Sequence, residues 1–338
     1  MGINLDPIPT DNPKSGFKWK AMGICFTLIG FLVIGWGGAR NLGTLYMFLI
    51  AVPLLATGHW LYRRGLRLES IKAETLMQQD DRAPVLYLRS FRSDGSSAPD
   101  TAGILNSWRG GEEEQIAKAM NEIGPFVAIG KPNEKLPELG AARTYQKNED
   151  WHEWVKSMMT RSQLVIFRAG ATEGFWWEVS QAALLVKPER MAFLLPFGPK
   201  QYEKFRTRAE QILPCRLPDH PEKKKSIWTR RLGGEIETNN LQAILYFDRN
   251  WIPHIEPIKI PFYLKKVTPA GGSWIPMYAY IAPPPVTLLV KKALSPVLTS
   301  LGLNWRQSPQ SRVGSALLLT LVSVLILIVI VWASDSFR

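Results

Sequence analysis

The sequence predicts an α/β protein: a parallel sheet with helices on both faces, joined to three membrane-spanning helices. Three observations carry that expectation. Between residues 84 and 212, short apolar runs alternate with helically patterned segments, the pattern of parallel strands joined by crossover helices. The runs are apolar throughout, as strands covered on both faces are. Three uncharged stretches, Ala21–Ala39, Asn41–Tyr62 and Val313–Ala333, are each near the roughly 20 residues that a bilayer requires.

The membrane elements come first. Ala21–Ala39 and Asn41–Tyr62 read as a hairpin over residues 21–62, its second arm broken by Pro53 and His59. A cleaved leader fits the first stretch poorly, because Asp6, Asp11 and three prolines precede it. Lys14, Lys18 and Lys20 lie before the hairpin, Arg63, Arg64, Arg67 and Lys72 after it, and Arg306 and Arg312 before the last stretch. By the positive-inside rule the segment 1–20 and everything from 63 to 312 face the cytoplasm. The expected location is the inner (cytoplasmic) membrane, with several passes and a cytoplasmic soluble domain. Much of the +12 formal charge flanks these spans, so anionic headgroups account for it more simply than nucleic acid does. The run Lys223–Lys225 with Arg230 and Arg231 reads as a solvated loop, with no nucleic-acid-binding signature beside it. Two cysteines and four scattered histidines predict neither a disulfide nor a metal site.

The soluble elements follow a polar linker, residues 63–81. Pro84–Phe91 reads as a strand that ends in a Ser/Gly/Pro-rich loop. Glu112–Ile123 has helical spacing and an acidic start suited to a helix N-terminus. Phe126–Ile129 is a strand, Gly130–Asp150 a long loop of the kind that is often functional, and Trp151–Thr160 a helix. Leu164–Phe167, Gly174–Leu185, Met191–Leu195 and Gln201–Ile212 continue the alternation and close a domain over 82–212. Residues 213–312 read as an extension containing a strand near Leu241–Phe247. Within it, 267–290 is uncharged, contains Pro283–Pro285 and is flanked by Lys265, Lys266, Lys291 and Lys292, which suits an interfacial or re-entrant segment.

The segment Trp154–Ala183 resembles the central part of TIR (Toll/interleukin-1 receptor) domains. A helix ends at Ser162, an apolar strand and a polar loop follow, and an aromatic-rich stretch leads into Glu178-Val179-x-x-Ala182. LYLRSFRSDG looks like a divergent opening TIR strand, and Gly130–Tyr145 falls where that family has its mobile loop. The resemblance covers about residues 82–200 and implies a flavodoxin-like fold. It departs from the family at Gly174, where an aromatic residue is common; here Trp176 and Trp177 directly precede Glu178.

Many TIR domains cleave NAD at the nicotinamide–ribose bond, and the resemblance implies that Glu178 is the essential carboxylate. The chemistry suits one acid. Nicotinamide leaves already cationic on nitrogen, and a carboxylate can stabilise oxocarbenium charge on the ribose. Arg89, Ser90 and Arg92 could hold diphosphate, Arg143 and Tyr145 could close over the nucleotide, and Trp177 could stack on a ring. NAD enters as substrate; no resident cofactor is expected. Simpler roles stand beside these. Glu178 could serve only the helix dipole, Arg89 could pair with Asp94 or Asp100, and at least one tryptophan ring could lie in the core. The competing functions are a non-catalytic oligomerising adaptor and a nucleotide-sensing module whose spans carry the output. In each case the bilayer and a second copy of the chain are the expected partners.

Overall fold

The computed structural model describes residues 13–39, 44–89, 111–130, 137–145, 151–221, 241–258 and 285–305. They fall into two units: a helical hairpin that ends at Ser70, and an α/β unit formed by Ile71–Glu134 and Gly140–Trp305.

In the hairpin, α1 (Pro13–Ala39) lies against α2 (Thr44–Leu68). Glycines spaced by seven fall on one helix face, and here two such series meet. A methyl placed on Gly23 would sit 2.6 Å from the Gly58 carbonyl oxygen, and one on Gly65 would sit 2.7 Å from that of Gly16. The backbones therefore pack closer than side chains permit, the device by which helices associate where water supplies no driving force. Lys20 and Glu69 pair at 2.5 Å near the hairpin's base, and Arg64 lies over the Trp19 ring at 4.6 Å. The outer faces are apolar, with Phe31, Leu32 and Leu49 at least half exposed. Replacing Gly58 with valine is expected to force the helices apart and cost about 1–3 kcal/mol, read as a lower melting temperature of the detergent-solubilised chain.

Among the described residues one helical segment, Ser15–Ile34, is long and apolar enough to cross a membrane, where the sequence reading expects three. The described part of α2 carries Pro53, His59 and three arginines, which lower its apolarity. The third expected span, Val313–Ala333, lies outside the described residues.

The α/β unit opens with α3 (Ala73–Gln79) and is built on a seven-stranded sheet. Its strands are β1 (Val85–Arg89), β2 (Phe126–Ile129), β3 (Ala142–Thr144), β4 (Leu164–Arg168), β5 (Met191–Leu195), β6 (Ala243–Phe247) and β7 (Pro253–Pro257). The spatial order is β3-β2-β1-β4-β5-β6-β7, with β1 to β5 parallel. Val85, Tyr87 and Arg89 of β1 sit level with Leu164, Ile166 and Arg168 of β4.

The expected wholly parallel sheet is instead mixed, because β6 and β7 run antiparallel. Specific hydrogen bonds accompany both reversals. The Leu241 amide donates to Glu112 Oε2 at 3.1 Å, which pins the start of β6 at the edge where the parallel strands end. The turn into β7 is closed by Asp248, whose Oδ1 accepts the amides of Asn250 and Ile252, each at 2.8 Å.

Helices cover both faces, as the alternation predicts. On one face Leu86, Leu88, Val165, Phe167 and Phe193 pack under α5 (Trp151–Arg161), α6 (Glu173–Leu185) and α7 (Pro199–Ala209). On the other, Val85, Tyr87, Ile166 and Leu194 pack under α4 (Glu112–Met120) and α8 (Pro285–Ser300). Residues 243–257 and 285–300, read from the sequence as an extension and in part as an interfacial segment, thus belong to the same sheet and core. Val290 and Leu294 of α8 are fully buried, the Thr287 hydroxyl donates to the Gln115 carbonyl at 2.9 Å, and Lys291 pairs with Glu122 at 2.5 Å.

Candidate functional site

From β1 the chain builds β2 on one side and, later, β4 on the other. The carboxyl ends of β1 and β4 therefore flank the point where strand order reverses, which is where open α/β sheets take ligands. Two groups of chemically distinctive residues lie near this edge, on opposite faces of the sheet.

The first is Glu178. The chain leaves β4 at Arg168 and enters α6 through Thr172, whose hydroxyl caps the Phe175 amide at 3.4 Å. Phe175, Val179 and Ala182 face the sheet, and Glu178 in the second turn is drawn inward with them to 8% exposure. Among the described residues no hydrogen-bond donor or cation pairs with it. Desolvation alone pushes its carboxyl up to about 8. The helix-dipole role belongs elsewhere: Glu173 occupies the first turn, exposed, and pairs with Arg208 at 2.6 Å.

The two tryptophans before Glu178 part company. Trp176 is in the core against Phe175 and Phe205, with the Arg208 guanidinium over its ring at 5.1 Å. Trp177 is half-buried and turns toward α5, meeting Trp151 at 4.9 Å and His152 at 4.2 Å, while His152 stacks on Trp151 at 3.9 Å. An aromatic cluster therefore stands between the first turn of α5 and the second turn of α6, on the same face as Glu178.

The second group is a buried ion network on the α4 face. Arg89 ends β1, Arg168 ends β4 and Arg143 lies in β3; all three are under 7% exposed. Glu113 bridges two of them: Arg89 Nη1 donates to its Oε2 at 2.9 Å and Arg143 Nη2 to its Oε1 at 3.4 Å. Glu112 takes Arg168 with one oxygen and the Leu241 amide with the other. Burial opposes charge on Arg168, but Tyr87 and Glu112 beside it outweigh this and raise its pKa. The Tyr87 hydroxyl, buried at the same spot, is pushed up to about 12, chiefly by desolvation. Room for Glu113 comes from Gly140, whose φ of +143° suits only glycine and where a methyl would meet the Glu113 side chain at 2.7 Å.

The residues expected around one nucleotide are therefore not all together. Arg89 and Arg143 converge, but on Glu113 and across the sheet from Glu178. Tyr145 lies against Gly130, where a methyl would come within 2.4 Å of its ring. Ser90, Arg92, Asp94 and Asp100 lie outside the described residues. Sequence reasoning missed Arg168, Glu112 and Glu113. The available signal was that two adjacent parallel strands, LYLR and LVIFR, each end an apolar run in arginine. Among the described residues no group of three or more His, Cys, Asp or Glu side chains is placed to hold a metal.

No family model matches the chain, and neither the curated proteins nor the solved structures contain a match.

Proposed function

We propose that this chain is a membrane-anchored effector of TIR type, with a flavodoxin-like domain on the cytoplasmic side of the inner membrane. In this reading it hydrolyses NAD at the nicotinamide–ribose bond through Glu178. The observation that carries the reading is the state of Glu178. An unpaired carboxyl in the core costs stability and has no structural return, so its presence beside the ligand-binding edge of the sheet points to use. A neutral acid in a dry site ionises readily when a cation arrives. The cationic nicotinamide nucleotide would draw the proton off Glu178. The resulting carboxylate would face the charge that grows on the ribose as nicotinamide leaves, and water would complete hydrolysis. Trp177, Trp151 and His152 form an aromatic cluster on the same side that could pack against a ring.

The apolar outer faces of α1 and α2 support the membrane assignment. With Val313–Ala333 read as a span, the hairpin would make the chain multi-pass, and tethering in two dimensions would favour self-association. The direct test is nicotinamide release from NAD by the full-length chain in detergent. Glu178→Gln keeps the shape and removes the charge, and is expected to lower release by at least about 100-fold. Equal release by both proteins would refute the role of Glu178.

One observation favours a second reading, a nucleotide sensor without chemistry. Arg89 and Arg143 are engaged by Glu113 on the face away from Glu178, so a ligand held there need not present its ribose to the acid. Binding of NAD without nicotinamide release would select this reading.

A further inference from the structure

The α4-face ion network is built unlike a simple staple. Three guanidiniums from β1, β3 and β4 line the carboxyl end of the sheet, and two consecutive glutamates from the first turn of α4 meet them. Across β3, β2, β1 and β4 the arginines span three strand spacings, about 14 Å. Their side chains nonetheless converge on two carboxylates, a pair that two linked anionic groups match. Arginine forks bind carboxylate and phosphoryl oxygens with the same bidentate geometry. Glu112 and Glu113 head a helix whose N-terminal amides also favour anions.

We propose that this network is a diphosphate-binding site held closed by its own helix: Glu112 and Glu113 each meet the arginines through single guanidinium nitrogens, and the diphosphate of a nucleotide or free pyrophosphate displaces them. The site lies across the sheet from Glu178 and so goes beyond the function proposed above as a separate ligand site; it rests on that reading only in taking a dinucleotide as the physiological ligand. Arg168 is the residue that distinguishes it, since it lies at the strand-order switch beside Arg89 and holds Glu112. Displacing the glutamates frees the first turn of α4 and the Leu241 amide at the start of β6, so binding loosens the contact that pins β6 to this edge.

The test is thermal denaturation and calorimetric titration of the full-length chain in detergent, with inorganic pyrophosphate and with ADP-ribose. Glu113→Gln weakens the internal competitor, and it is expected to bind either probe at least tenfold more tightly than the unaltered chain and to regain melting temperature on adding it. Glu112→Gln is expected to behave likewise, and serves where Glu113→Gln does not fold. Arg168→Gln is expected to lose the response. Binding of pyrophosphate alone supports a free-diphosphate site; binding of ADP-ribose as well supports a nucleotide site. Absence of any shift in all of these proteins at millimolar probe, or an equal shift with sulfate at the same ionic strength, overturns the proposal. Nicotinamide release is scored separately: release with no probe binding retains the Glu178 reading and removes this one, and probe binding without release does the reverse.

Discussion

Glu113→Ala is expected to lower the unfolding free energy of the α/β unit by about 3–5 kcal/mol, the range for breaking a buried ion pair from one side. The cost comes from what remains. Arg89 and Arg143 lie 6% and 2% exposed and both meet this one carboxylate, so its removal takes an ion-pair partner from each of two buried guanidiniums. Replacing a surface partner would do little: Glu203, paired with Arg206 at 2.8 Å, is exposed, and exposed pairs contribute about 0–1 kcal/mol. Denaturant titration of Glu113→Ala beside Glu203→Ala makes the comparison. Equal, small losses would show that the network does not hold α4 on the strand ends.

Raising the pH from about 4.5 to about 8 is expected to cost the folded unit on the order of 4 kcal/mol through Glu178 alone. Its pKa is raised in the folded state, so the unfolded chain gives up this proton first. The contribution is fully present below the ordinary value of 4.5 and is lost progressively until the folded carboxyl itself ionises near 8. Glu178→Gln does not titrate. It should therefore match the unaltered chain near pH 4.5 and exceed it at pH 8, with a flatter dependence between. Parallel loss of stability in both proteins would mean that Glu178 is hydrated or paired in solution.

The two expectations have different origins in the sequence. The crossover pattern was legible because strand and helix each buried one apolar set: Phe126–Ile129 and Met191–Leu195 form strands where their apolar runs place them. The antiparallel end of the sheet was not, since β6 is oriented by one long-range bond from the Leu241 amide to Glu112, and no local periodicity encodes that. β7 was hidden for a related reason. Its sequence, PHIEP, lies at the sheet edge with His254 and Glu256 exposed, so it carries little apolar signal. At the site, the aromatic-flanked carboxylate was visible as a motif, but its burial depends on the turn of α6 against the sheet. The acidic start of α4 was read as serving its helix dipole. Only Glu114 is spent on the helix end, its Oε1 accepting the Gly111 amide at 3.0 Å, while Glu112 and Glu113 reach across to arginines 24 to 56 residues away in the chain.

The most direct test of the account is nicotinamide release from NAD between pH 6 and 9, by the full-length chain in lipid nanodiscs beside Glu178→Gln. The account predicts that kcat/KM rises with pH to a half-maximum near 8, where the free carboxyl ionises, and that the variant shows no such limb. NAD left intact at every pH by a folded, self-associated chain, or an identical profile in the variant, would contradict it.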